Sequence, residues 1–214
     1  NGLSNEYNTT IINVGNIFLS RGDLDSALIL YHQALETSKA VGDSLRIAYS
    51  ANNLGKTYLQ KGAVKKALEF LKMAMDIKLE YSPEELPITY NLMADLFIKL
   101  NKTDSAFIMV ERARKMGLNQ GNLEYLLESY EILKDYHQRL GEYDMALSAM
   151  EILDSLKTHR FNTEKLAVNK LKASYDLQER EEQIAQQEQK LKQERLIRWV
   201  ILVTTLIIIF IAVF

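Results

Sequence analysis

His32, His137 and His159 are the side chains best suited to proton transfer or metal binding near neutral pH. They fall on different expected helices without a consistent ligand spacing, so packing or surface roles are expected for them and no metal site is. The chain has no cysteine, which excludes a disulfide scaffold and a thiolate metal centre but leaves the compartment open. There is no Gly-rich phosphate loop, no paired-histidine zinc motif and no Gly-x-Ser-x-Gly elbow. Neither catalysis nor a cofactor is therefore expected. Asn8-Thr9-Thr10 and Asn101-Lys102-Thr103 fit a glycosylation triplet, as many short helical sequences do. Arg21-Gly22-Asp23 spells a tripeptide used by some adhesion ligands, but a glycine that stops one helix and an aspartate that caps the next have a local use there. Asparagine offers another chemistry. Its amide both donates and accepts, so a row of asparagines can hydrogen-bond the backbone of an extended peptide whatever the peptide's sequence.

The elements that would position such a row are written as a repeat. Ala27, Ala67, Ala106 and Ala146 stand 40, 39 and 40 residues apart, a period in the range of solenoids. Nine residues before each anchor come Phe18, Tyr58, Phe97 and His137, and twelve before come Gly15, Gly55, Ala94 and Lys134. The small residues predict helices that approach closely. Five before each anchor stand Gly22, Gly62, Asn101 and Gly141, types that accept the positive φ needed to end a helix. The pattern predicts four helical hairpins: Asn5 to Ser20 with Asp23 to Val41, Asp43 or Ser44 to Lys61 with Ala63 to Tyr81, a helix from the Ser82-Pro83-Glu84-Glu85 start to Leu100 with Thr103 to Met116, and Leu123 to Leu140 with Tyr143 to Lys157. Gly117 to Gly121 is expected to be a loop. Nine glycines and two prolines among 214 residues that are 47% hydrophobic argue for an all-α chain. A formal net charge of −2 gives no basic face for nucleic acid.

At these residues the chain resembles the tetratricopeptide repeat family. Leu54-Gly55, Tyr58, Gly62, Ala67 and Ala74 carry the resemblance best, Val14-Gly15, Phe18, Gly22, Ala27, Tyr31 and Ala34 nearly as well, and the units at Met93-Ala94 and Leu133-Lys134 depart from it. The proline near the end of the family's second helix is absent, and the period exceeds the usual 34 by about six residues, so longer helices are expected. The resemblance implies that the first helix of each hairpin lines a concave surface. It places Asn13, Asn16, Asn52, Asn53, Lys56, Asn91 and Asp95 there as peptide-binding residues, with Glu131 and Asp135 beyond. Asn16 and Asn53 match two asparagines of carboxylate-clamp modules, but the clamp's cationic positions fall on Ile12, Ile88 and Leu92. A clamp on a C-terminal carboxylate is not expected. The same asparagines could equally form a solvated face without a ligand.

Residues 160–195 contain no Gly or Pro and predict one long charged helix. Leu177, Ile184 and Leu191 recur every seventh residue, while the companion positions are polar, as at Glu181 and Glu188. That is half of a coiled-coil seam, so either a weak homodimer or a solvated single helix is expected. Trp199 to Phe214 carries no charge and would span about 24 Å as a helix. It predicts a transmembrane segment whose run stops with the sequence, flanked by Arg195 and Arg198.

The expected organisation is four hairpins over 1–158, a charged helix over 159–195 and a single membrane span over 196–214. Because the chain begins at Asn1, a processed or excised region of a longer protein is expected. The arrangement is similar to bacterial signalling proteins in which extracytoplasmic repeats lead through a helix and one span to a histidine-kinase or helix-turn-helix output. That resemblance implies a non-catalytic sensory or scaffold region with periplasmic repeats, whereas the basic flank of the span favours the cytoplasm for that side. A membrane-tethered assembly adaptor is the alternative.

Overall fold

Six of the helix connections in residues 1–158 are built the same way, because each requires the chain to turn left-handed for one residue. Gly22, Gly42, Gly62, Gly121 and Gly141 have φ between 62° and 79°, and Asn101 takes the same role at 55°. At each of these turns the following N–H reaches back to close the helix end, as Asp23 N–H does to Phe18 O, Ala63 to Tyr58 O, Lys102 to Phe97 O and Glu142 to His137 O. The next helix starts at once, and Asp23, Asp43 and Asn122 cap it by accepting the N–H of Ser26, Arg46 and Tyr125.

The computed structural model describes residues 2–213, with side chains described from Tyr7 to Ile207. Its helices are α1 Gly2–Ser20, α2 Leu24–Val41, α3 Ser44–Gln60, α4 Val64–Tyr81, α5 Leu86–Lys99, α6 Thr103–Gln120, α7 Leu123–Leu140 and α8 Tyr143–Val213. A 3-10 turn, Pro83–Glu85, leads into α5. The backbone divides into two units, 1–158 and 159–214.

In the first unit, α1 packs on α2, α3 on α4 and α5 on α6. The repeat anchors Ala27, Ala67 and Ala106 are fully enclosed, and Ala146 is buried. Close approach rests on small residues facing large ones. A Cβ at Gly15 would stand 2.6 Å from the Tyr31 ring, and one at Gly55 would stand 2.6 Å from Cγ and Cδ2 of Leu71. Tyr31 and Leu71 are themselves fully buried, in a core that also holds Leu35, Leu54, Tyr58, Met93 and Leu96. The first helices of successive hairpins also touch directly, α3 with α5 and α5 with α7, so they form a continuous inner layer.

Two expectations are corrected here. The loop expected at Gly117 to Gly121 is helical as far as Gln120. Gly117 is a contact point within α6, its would-be Cβ lying 3.2 Å from Tyr125 Cβ and Leu126 Cδ2, and Gly121 supplies the turn instead. The hairpin helix expected to end near Lys157 does not stop there either, since α8 runs on without interruption through a sequence with no helix breaker.

In the second unit, the side chains of residues 161–207 are exposed. Leu177, Ile184 and Leu191 lie along this helix with more than half of their surface open. Among the described residues no helix is long and apolar enough to cross a membrane. The span expected over 196–214 is thus without support there, and the side chains of its last seven residues lie outside the described ones.

Gly55→Val should destabilise the first unit by about 2 kcal/mol, because it overpacks an enclosed contact. Urea unfolding of Gly55→Val, Leu71→Ala and the double variant checks this. The double variant should lose less than the sum of the single losses, since Leu71→Ala vacates the volume that valine needs.

Candidate functional site

The inner layer encloses a groove of about 610 Å³. Its walls come mainly from first helices: Thr9 and Ile12 of α1, Arg46, Tyr49, Asn52, Asn53 and Lys56 of α3, Ile88, Asn91, Leu92 and Asp95 of α5, and Glu128, Glu131, Ile132 and Asp135 of α7, with Lys78 reaching in from α4. The recurrence at every third or fourth residue follows from the helical period, which keeps such positions on one face. Ile12, Ile88, Leu92 and Ile132 are only partly buried and give the groove an apolar lining between its polar groups.

Of the residues expected to bind peptide, the fold gathers Asn52, Asn53, Lys56, Asn91 and Asp95 around this groove and leaves Asn13 and Asn16 out of its lining. Both are exposed on α1, and Asn16 Oδ1 accepts the Tyr31 hydroxyl at 2.7 Å. The position of α1 on the groove is filled by Thr9 and Ile12 instead.

The remaining asparagines divide by the direction of their amides. Asn52 is buried, and its Oδ1 accepts the Thr89 hydroxyl at 3.0 Å, joining α3 to α5. Asn91, one repeat later, is also buried. Its Oδ1 accepts the Ser129 hydroxyl at 3.0 Å, and its Nδ2 donates to Tyr125 O at 3.4 Å and to Glu128 Oε2 at 3.5 Å. These two rungs hold successive inner helices together. Asn53 is partly open to the groove, and among the described residues its side-chain amide has no hydrogen-bond partner, its backbone carbonyl alone accepting Thr57 Oγ1. Lys56 is exposed one turn further along α3.

Sequence reasoning missed two groups on this face. Lys78 is fully buried at the groove floor. Its Nζ donates to Glu85 O at 3.3 Å, lies 3.8 Å from Glu85 Oε2 and sits 5.5 Å from the centre of the Tyr49 ring. Burial holds its ammonium below the usual lysine range, against the pull of Glu85. Tyr49 donates to Glu85 Oε1 at 2.6 Å, and burial followed by the nearby Glu85 pushes its hydroxyl up to about 12. In sequence Lys78 looks like an ordinary cation in the last turn of a helix.

Glu128 is the second. Its side chain opens into the groove yet is closely surrounded by protein. Desolvation raises its carboxyl above the usual range, opposed by the Asn91 amide and Lys56 and reinforced by Glu124. The other groove carboxylates have cations beside them: Asp95 lies 3.5 Å from Lys99, Glu131 lies 3.0 Å from Lys134 and 3.5 Å from Lys157, and Asp135 lies 3.2 Å from Lys134. The histidines do not join this site. His32 lies against Tyr58 and Phe70, and His137 pairs with Glu142 at 2.6 Å across a hairpin turn. Among the described residues no group of acidic or histidine side chains could hold a metal ion.

Residues 6–80 match the family model described as tetratricopeptide repeat. Among solved structures the fold is similar to BtubC from P. vanneervenii, with 19% identity and a TM-score of 0.61. That match covers 73% of this chain and 65% of BtubC. It is also similar to the nearly identical TPR-like repeats from Podosopora anserina, seen in a single-substitution variant, with 18% identity, a TM-score of 0.53 and coverage of 72% of this chain and 76% of the other. No curated protein matches in sequence. The first unit is thus a solenoid of tetratricopeptide-like hairpins.

Two stability measurements check the geometry. Asn91→Ala should cost about 1 kcal/mol, because it removes the buried amide that ties α5 to Ser129 of α7 while the Ser129 hydroxyl keeps its bond to the Tyr125 carbonyl, whereas Asn53→Ala should cost little. Glu128 binds its proton more tightly in the folded chain than in the unfolded one, so its stabilising contribution is present below the unfolded pKa and lost as pH rises through the folded value. Glu128→Gln should therefore unfold at a higher temperature than the parent at pH 7, and the advantage should disappear below pH 4.

Proposed function

We propose that this tetratricopeptide-repeat chain is a non-catalytic scaffold that binds an extended peptide segment of a partner protein along the groove of residues 1–158. The observation that carries this reading is the unpartnered Asn53 amide, placed with Lys56 among Ile12, Ile88, Leu92 and Ile132 on one concave face. An amide whose oxygen is already taken by a neighbouring helix would act mainly as structure, as Asn52 and Asn91 do. Asn53 keeps both a donor and an acceptor for a peptide backbone, while the apolar positions suit intervening side chains.

The test uses a peptide selected from an array by the full chain. Asn53→Ala should weaken its binding by about tenfold, as expected when a hydrogen bond to a desolvated backbone group is lost, with thermal unfolding unchanged. Full affinity in that variant would remove the groove from the account.

We further propose that the helix over 159–213 serves self-association, on the strength of the exposed row Leu177, Ile184 and Leu191. Replacing all three with Gln should lower the sedimenting mass of the chain while leaving the repeats folded. An unchanged mass for a dimeric parent would place the contact elsewhere. The wider reading, a periplasmic sensory region or adaptor tethered by one membrane span and coupled to an output, is supported only by the charge-free sequence from Trp199 onward. Co-flotation of the full chain with liposomes, lost on truncation after Arg195, is the result it requires.

A further inference from the structure

The groove is electrically uneven. Its cations are restrained or alone: Arg46 is held by Asp43 at 2.7 Å, Lys78 is enclosed beside Glu85, and only Lys56 is exposed. Across from them α5 and α7 present four carboxyl groups, Asp95, Glu128, Glu131 and Asp135. Three of these have lysines within ion-pair distance. Glu128 has none among the described residues. Its one hydrogen bond comes from the Asn91 amide at 3.5 Å, and that amide also serves the Tyr125 carbonyl. Lys56 attracts it from α3 without forming an ion pair. Next to Glu128 the groove wall is apolar, with Leu92 and Ile132 both partly open. A carboxylate in that position lacks part of its solvation and gains most from an arriving cation that can approach to hydrogen-bonding distance.

We propose that Glu128 is the specificity-determining residue of the groove, taking the ammonium or guanidinium group of a Lys or Arg side chain on an extended peptide whose apolar side chains rest on Leu92 and Ile132. This rests on the reading of the groove as a peptide site and names the peptide's chemistry. Charge complementarity selects this occupant over an acidic one. A peptide carboxylate would meet Glu128 and its three acidic neighbours, with Lys56 alone to receive it. Asp95, Glu131 and Asp135 are balanced by Lys99, Lys134 and Lys157, which leaves Glu128 as the carboxylate without an ion-pair partner on this side of the groove. Lys56 then marks the other end of the contact, where it repels a second cation and fixes the direction in which the peptide lies.

The probe is an array of acetylated dodecapeptides containing two leucines three residues apart and Lys, Arg, norleucine or Glu at each flanking position, bound by the full chain and followed in solution by fluorescence anisotropy. Lys and Arg peptides should bind at least about tenfold more tightly than their norleucine counterparts, and Glu peptides more weakly than either. Glu128→Gln, nearly equal in size, should abolish the preference while retaining the norleucine peptides, and Glu128→Lys should reverse it toward Glu. Thermal unfolding of both variants confirms that they are folded. An undiminished Lys preference in Glu128→Gln, or a parent that selects Glu, overturns the assignment. If the parent binds Lys and norleucine peptides equally and Asn53→Ala weakens both, the cation site falls and the peptide groove stands. Absence of any array binding, or binding that ignores Asn53→Ala, removes both.

Discussion

Close helix contact in the first unit depends on matching a residue without bulk to one that fills the space. At Gly15 and Gly55 there is no room for even a Cβ beside Tyr31 and Leu71, and the anchors Ala27, Ala67 and Ala106 retain no exposed surface. These contacts bring the two helices of a hairpin close enough for the next hairpin to stack on the pair. The inner layer α3, α5 and α7 follows from that stacking. So does the groove, because side chains one helical turn apart on neighbouring inner helices must then share one surface. The departures are instructive. Lys134 occupies the small-residue position in the fourth hairpin, where it is partly buried and bonded to Glu131 and Asp135.

Packing alone would leave neighbouring inner helices free to slide, and the polar rungs oppose this. Asn52 with Thr89, and Asn91 with Ser129, are buried side-chain hydrogen bonds between successive first helices. A buried amide that loses its partner costs more than the bond contributes when formed, so each rung favours one register. Among the described residues the first rung is missing. Ser50 is buried with no partner for its hydroxyl, and Asn13 remains exposed. Between the rungs, Asn53 and Glu128 are directed at the groove rather than at each other. The division between groups that hold the layer and groups left for a ligand is thus made residue by residue along the same helices.

This division also explains what was legible in the sequence. The turn positions could be read because positive φ restricts the residue type so strongly, and all four predicted turn residues, Gly22, Gly62, Asn101 and Gly141, adopt it. The hairpin period and the anchors were legible for the same reason, since enclosure at a close contact admits little but alanine or glycine. Azimuth was not. Asn52 and Asn53 are adjacent and therefore about 100° apart around the helix, enough to send one amide to Thr89 and the other to the groove. Gly117 reads as a loop residue in one dimension and serves as a helix contact in three. Glu128 looked like an ordinary charge because Asn91 and Lys56 come from helices distant in sequence, and Lys78 because only the fold closes Tyr49 and Glu85 around it.

The central claim is that partner peptides enter the inner face of the solenoid and leave its outer face bare. Isoleucine methyl resonances of the full chain, followed during titration with an array-selected peptide, test it most directly, because isoleucine reports both faces. Ile12, Ile88 and Ile132 line the groove, while Ile29 and Ile108 are exposed on α2 and α6. The account predicts saturable shifts at Ile12, Ile88 and Ile132, with Ile29 and Ile108 unmoved. Shifts confined to Ile29 and Ile108 would contradict it.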